Sequence, residues 1–176
     1  MITLHDKTFV PFISESEINQ AIKNLADKIS IDYKGETPIF LGVLNGAFMF
    51  LGELMKNYKG NCELSFTKLA SYHGTMTSGI MKNLIGLNEN IENHHVIIVE
   101  DIVDTGHTLE YLMNILAEKK PKSIKTATLF FKPDAYKKNI KIEYIGIEIP
   151  NKFIVGYGLD YDGLGRNLPE VYQLKI

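Results

Sequence analysis

Apolar positions along the first third of the chain follow two rhythms, one at helical spacing and one continuous and short. Ile18, Ala21, Ile22, Leu25, Ala26 and Ile29 recur three and four residues apart, the spacing of a single helix face. Just ahead of them Ser14 and Glu17 stand in the relation a capping box requires, so an amphipathic helix is predicted to begin there. Residues 38–44 form a short apolar run that ends in Asn45-Gly46, after which Ala47, Phe48, Leu51, Leu54 and Met55 resume the helical period. That stretch reads as strand, turn and helix.

Residues 62–72 alternate and are rich in strand formers, and they give way to the polar, glycine-bounded stretch His73-Gly74-Thr75-Met76-Thr77-Ser78-Gly79. A mobile loop is expected there. Val96-Ile97-Ile98-Val99 is apolar throughout, as a strand covered on both faces would be. Leu109, Leu112, Met113 and Leu116 then mark a helix face that Pro121 closes. Residues 124–131, 144–149, 153–157 and 171–176 supply further strands, with helices interleaved only in the first half of the set. The alternating order implies an α/β fold with a mainly parallel central sheet flanked by helices. With no internal repeat, low-complexity tract or linker, residues 1–176 read as one domain with small N- and C-terminal additions.

Composition changes this picture little. Hydrophobic residues at 45% and charged residues at 23% are ordinary globular values. The 19 basic residues are outnumbered by 21 acidic ones, and a net charge of -2 argues against broad capture of nucleic acid or an anionic membrane. A polyanionic ligand would have to be held locally. The single Cys62 allows no internal disulfide, so a reducing cytoplasm fits. The first residues lack the apolar core of a signal peptide, and no apolar run reaches the ~18 residues a membrane span needs, so the protein is expected to stay where it is made.

The chemistry concentrates in Val96-Ile97-Ile98-Val99-Glu100-Asp101-Ile102-Val103-Asp104-Thr105-Gly106-His107-Thr108-Leu109. Glu100 and Asp101 come at the carboxyl end of a buried strand, where open α/β sheets bind ligands. Asp104 to Thr108 then enters a helix, whose free N–H groups and dipole suit one phosphate, with Gly106 letting the backbone curl around an oxygen. Asp104 or Thr105 could instead simply cap that helix. Capping does not account for three carboxylates beside an anion site, where they would repel the ligand unless they bound sugar hydroxyls, a metal or a proton. The chain has no G-x-x-x-x-G-K-[ST] loop and no G-x-G-x-x-G after a strand, so nucleotide hydrolases and dinucleotide enzymes fall away.

These residues resemble the signature of the type I phosphoribosyltransferases, an apolar strand followed by two acids and a Thr-Gly-x-Thr loop that binds phosphoribosyl pyrophosphate. An aspartate at position 104 is closest to the hypoxanthine-guanine branch. The resemblance continues at Leu44-Asn45-Gly46-Ala47, at Ser71-Tyr72 with its loop, at Phe131-Lys132, and from Lys152 through Asp160 to Arg166. It implies the type I phosphoribosyltransferase fold, with a core over about residues 36–150 and a small hood from about 1–14 and 150–176. A non-catalytic sensor of phosphoribosyl pyrophosphate shares that fold, but no basic stripe or added nucleic-acid segment is apparent here.

The same resemblance implies roles residue by residue. Glu100 and Asp101 would hold ribose hydroxyls and help position Mg²⁺, and Thr105, Gly106, His107 and Thr108 would cradle the 5′-phosphate. Asp104 would take the proton from N7 of the base. Lys132, ordinarily a solvated lysine at a strand end, would donate to the exocyclic oxygen of a 6-oxopurine. Phe153 would stack on the ring while main-chain groups near Ile154 read its edge, Asp160 would serve a Mg²⁺-linked water or the purine amino group, and Arg166 would meet pyrophosphate. Asn45 and Gly46 form the pyrophosphate loop, where many relatives have lysine before the glycine, so a cationic contact is absent and the family's unusual peptide geometry is not to be assumed. Ser71 and Tyr72 begin the candidate lid that would keep water from an oxocarbenium centre. The expected activity is purine salvage without nucleic-acid or membrane partners, by a homodimer or homotetramer.

Overall fold

The computed structural model describes residues 1–71, 81–85 and 90–175. Tyr72 and the rest of the expected lid up to Gly79 lie outside them, while Ser71 is the last residue of a strand. Ten strands and three helices follow in chain order among the described residues.

Helix α1 (Glu15–Asp32) begins at the anticipated capping box. The Glu17 N–H donates to Ser14 Oγ at 3.3 Å, and the Ser14 N–H donates to the Glu17 carboxylate at 3.0 Å, so two orphan donors of the first turn are satisfied reciprocally. Ile18, Ile22, Leu25, Ala26 and Ile29 are buried as the spacing predicts. Helix α2 (Phe48–Asn57) departs from expectation, because Phe48 is 45% exposed and Phe50 is fully buried in its place. The buried face runs Ala47, Phe50, Leu51, Leu54, which is equally helical in period, so spacing alone did not choose between Phe48 and Phe50.

The central sheet comprises β3 (Ile39–Leu44), β4 (Glu63–Ser71), β5 (Met81–Ile85), β6 (His95–Val103), β7 (Ser123–Phe131) and β8 (Tyr144–Glu148), in the order β5-β4-β3-β6-β7-β8. All neighbours pair in parallel except the antiparallel edge strand β5. Helices α1 and α2 share one core with Phe40, Ile97, Val99 and Leu129. Helix α3 (His107–Ala117) joins Ile39, Leu41, Val96 and Ile98 in the other. Alternate residues of β3 and β6 therefore enter opposite cores, which explains their continuous apolar character.

The chain leaves β3 toward β4 through α2 and leaves β6 toward β7 through α3, so the connections part company between β3 and β6. That is the topological switch point of the sheet, where the carboxyl ends of adjacent strands open a crevice. Position, before any chemistry, puts the loops after Leu44 and Val103 side by side.

On β4 the alternation has inverted polarity. Ser65 and Thr67 are buried, while Leu64 and Phe66 are 47% and 37% exposed. Leu64 and Phe66 pair in register with Phe40 and Gly42, on the α2 side of the sheet, and a Cβ at Gly42 would run into both Leu51 and Phe66.

A second sheet orders β1 (Ile2–Leu4), β2 (Lys7–Ile13), β10 (Val171–Leu174) and β9 (Ile154–Val155) as β1-β2-β10-β9, antiparallel throughout. It knits the two ends of the chain into the hood. None of the helices described is long and apolar enough to cross a membrane.

Candidate active site

Strand β6 runs further than its apolar pattern suggested, so Glu100 and Asp101 lie within the strand and Glu100 pairs in register with Thr128 of β7. Glu100 is 5% exposed and its Oε1 has no hydrogen-bond partner among the described residues. Burial, and then the neighbouring Asp101 charge, push its carboxyl up to about 8. Burial also raises Asp101, to about 6; backbone N–H groups of Ile102 and Asp101 and the Arg166 charge pull it down, and Asp160 pushes it up.

Residues 100–109 line a cavity of about 290 Å³. Gly106 occupies the N-cap of α3 in the left-handed region at φ 84°, and no side chain caps the helix. The alternative in which Asp104 or Thr105 serves as cap is thereby removed, and the first-turn N–H groups are left to the cavity. Tyr136 and Lys138 crowd Gly106 on the outside, where any Cβ would strike them. Thr105 and Thr108 are partly exposed beside the cavity, and His107 is exposed at the helix start.

Lys132 follows the end of β7, its backbone N–H bonded to the Val103 carbonyl at 3.0 Å. This bond sets it beside the acidic loop, where Lys132 Nζ donates to Asp104 Oδ2 at 2.9 Å. The lysine is buried and its carboxylate partner half exposed. Twenty-eight residues apart in the chain, these two candidates for base recognition form one ion pair.

From the opposite side, the Leu44–Asn45 peptide is cis and Gly46 lies against the Asp101 carboxylate, leaving no room for a Cβ. The hood closes on the same point, since Gly158, at φ 97°, sits on the Gly46 carbonyl with similar intolerance of a side chain. Arg166 donates to the Gly158 carbonyl at 2.7 Å and pairs with Asp160 at 2.7 Å, while Asp160 accepts from the Gly163 N–H. Asp101, Gly46, Gly158, Arg166 and Asp160 thus form one contiguous group. Phe153 is 46% exposed in the hood, in ring contact with Phe9 and Tyr161, and Ile154 is buried in β9.

The carboxylates Glu100, Asp101 and Asp160 do not come together as a direct three-residue metal cluster among the described residues. They are all oxygen donors, and the buried Glu100 Oε1 has no partner among the described residues, a donor set whose chemistry would suit a hard cation such as Mg²⁺ held through water. Sequence reasoning missed Gly158, although a Gly-Tyr-Gly run is a signal for close backbone approach, and it missed Tyr161, whose contacts with the far N-terminus leave no local mark.

The family described as "Phosphoribosyl transferase domain" matches residues 14–162, and the chain belongs to it. The curated hypoxanthine-guanine phosphoribosyltransferase of Streptococcus pyogenes serotype M3 is 45% identical over 163 residues, covering 92% of this chain and 91% of the relative. A crystal structure of a hypoxanthine-guanine phosphoribosyltransferase from Bacillus anthracis, with HEPES in its active site, superposes with a TM-score of 0.90 at 37% identity, covering 97% of this chain and 100% of that one. A Staphylococcus aureus hypoxanthine phosphoribosyltransferase gives a TM-score of 0.90 at 37% identity, over 97% and 94% of the two chains. The sheet with its hood is the fold these neighbours share.

Proposed function

We propose that this chain transfers the phosphoribosyl group of 5-phosphoribosyl 1-pyrophosphate to hypoxanthine or guanine, and to xanthine by the same chemistry, releasing pyrophosphate and IMP, GMP or XMP. The observation that carries the reading is the Asp104–Lys132 pair at the edge of an uncapped helix N-terminus. It joins a proton acceptor and a cationic donor beside an anion cradle, the set a 6-oxopurine and a sugar phosphate require together.

As the C1–O bond to pyrophosphate breaks and the bond to the purine nitrogen forms, positive charge builds on the ribose and negative charge on the leaving group. The α3 N-terminus with Thr105 and Thr108 binds the 5′-phosphate, and Glu100 and Asp101 hold the ribose hydroxyls. Arg166 and the backbone of Asn45 and Gly46 face the pyrophosphate. Asp104 accepts the N7 proton, and Lys132 leaves Asp104 to donate to the exocyclic oxygen. Adenine offers an amino group there instead, so it is a poor substrate. Phe153 stacks on the base, with main chain near Ile154 at its edge. Bound Mg²⁺, with Glu100, Asp101 and Asp160 as its oxygen donors through water, would offset the pyrophosphate charge.

A homodimer or homotetramer is proposed as well, supported by the exposed Leu64 and Phe66 on one face of β4 and the exposed Phe48 of α2. A cytoplasmic location fits the free thiol of Cys62. The test is to combine protein, Mg²⁺ and phosphoribosyl pyrophosphate with each purine and follow nucleotide formation. Product from the 6-oxopurines and little from adenine is expected, and no product from any 6-oxopurine would overturn the reading in favour of a sensor.

A further inference from the structure

Three consecutive residues, His5 and Asp6 of the turn between β1 and β2 and Lys7 at the start of β2, grip the loop that follows β9. Tyr161 Oη donates to Asp6 Oδ1 at 2.7 Å. The Lys7 ammonium lies over the Tyr161 ring, 4.5 Å from its centroid. His5 Nε2 is 3.1 Å from the Asp162 carbonyl oxygen, and the His5 and Tyr161 rings meet edge-on with centroids 5.8 Å apart. Tyr161 is therefore held at its hydroxyl, on its face and at its edge by one short segment from the other end of the chain.

What Tyr161 holds in turn belongs to the site. Its ring meets Phe153 at 88° with centroids 5.9 Å apart, and both rings lean on the fully buried Phe9. Lys7 Nζ is also 5.7 Å from the Phe153 centroid. In sequence Tyr161 directly follows Asp160, the partner of Arg166. Gly156, Tyr157, Gly158, Asp162, Gly163 and Gly165 all have positive φ, so the loop is built largely from conformations that the backbone of most residues disfavours. Hydrogen bonds within the loop, among them Gly158 N–H to the Arg166 carbonyl and the reciprocal pair between Tyr161 and Leu164, hold its turns, and the contacts with His5, Asp6 and Lys7 anchor it to the N-terminal strands.

We infer that Asp6 and Lys7 are positioning residues, which fix the Phe153 ring and the 156–166 loop through Tyr161 and so set affinity for the base without touching either substrate. The kinetic part rests on the proposed phosphoribosyl transfer; the positioning of the loop does not. Both residues are at the surface, where an isolated hydrogen bond or ion contact ordinarily changes little. Here several contacts converge on one ring, Tyr161, which itself packs against Phe153.

The experiment compares the full-length protein with Asp6→Ala, Lys7→Met, Tyr161→Phe, the double variant Asp6→Ala/Tyr161→Phe, and Asp6→Asn, which can still accept from the tyrosine. Amide hydrogen exchange over residues 156–166 should quicken in the first three while exchange in β3, β6 and β7 stays as in the wild type. The KM for hypoxanthine should rise about three- to tenfold, the range one such contact supplies, with kcat within about twofold. The double variant should be no worse than either single one, and Asp6→Asn should return toward wild type. Unchanged exchange in the loop overturns the inference whatever the activity; quickened exchange with an unchanged KM overturns the role in base affinity. A wild-type protein inert toward every 6-oxopurine counts against the transferase reading instead, and the exchange data then decide the positioning of the loop alone.

Discussion

Five residues of one strand and loop carry two kinds of carboxylate. Glu100 and Asp101 are inside β6, the first buried and the second partly so, and are raised to about 8 and about 6, with one Glu100 oxygen lacking any partner among the described residues. Asp104 stands past the strand with its side chain 44% exposed, and its charge is met by Lys132. The first pair is costly to ionise until hydroxyls or a cation arrive, which suits groups whose work is to bind. The third is accessible and electrostatically compensated, which suits a group whose work is to move a proton. The ionisable group is a carboxyl in both places; the strand end separates the environments.

The sharpest way to break this contrast is at the exposed member. Asp104→Asn keeps the shape and removes the basicity, so kcat should fall about 10²-fold or more while purine binding persists, as steady-state kinetics with a parallel binding assay would report. Near-normal turnover would end the proton-transfer role. Lys132→Met removes the charged donor and leaves Asp104 unpaired, and kcat/KM for hypoxanthine should fall about 10- to 10²-fold with the preference over adenine narrowed. A loss shared equally by both bases would mean that the lysine does not read the exocyclic oxygen.

At the buried member the effect is smaller and appears in stability. Glu100 keeps its proton in the folded state up to about 8, whereas the unfolded chain releases it near 4.5. Between those values the folded state binds more protons than the unfolded one, so stability is greatest at the acid end of the window and declines as pH rises through it. Thermal melts in metal-free buffer should show this decline in the wild type. Glu100→Gln should flatten it and gain about 1–3 kcal/mol at pH 8, because an uncompensated buried charge is gone. A variant that melts below the wild type at pH 8 would refute the buried-charge account.

Local rules were legible from the sequence wherever one neighbourhood decided the outcome. The Ser14–Glu17 box, the helix face from Ile18 to Ile29 and the doubly covered strand at Val96 are of this kind, each set by residues within a few positions. Phe48 against Phe50 was not legible, because both satisfy a helical period and only the packing of α2 on β3 decides. Likewise the pattern of β4 predicted a strand but not which face is covered, and it is Ser65 and Thr67 that are buried while Leu64 and Phe66 stay exposed. In the site, the strand, loop and helix start of residues 100–109 that line the cavity could be read from their own sequence. The Asp104–Lys132 pair and the approach of Gly158 to Gly46 depend on parallel register and on the hood closing over the switch point, and both are long-range facts.

Dissociation constants for phosphoribosyl pyrophosphate, measured side by side for Asp104→Asn and Glu100→Gln, test the division of labour most directly. Asp104→Asn should bind the sugar donor as the wild type does while losing turnover, and Glu100→Gln should bind it about tenfold or more weakly, the worth of one charge-assisted hydrogen bond. Equal weakening in both variants, or unimpaired binding by Glu100→Gln, would contradict that division.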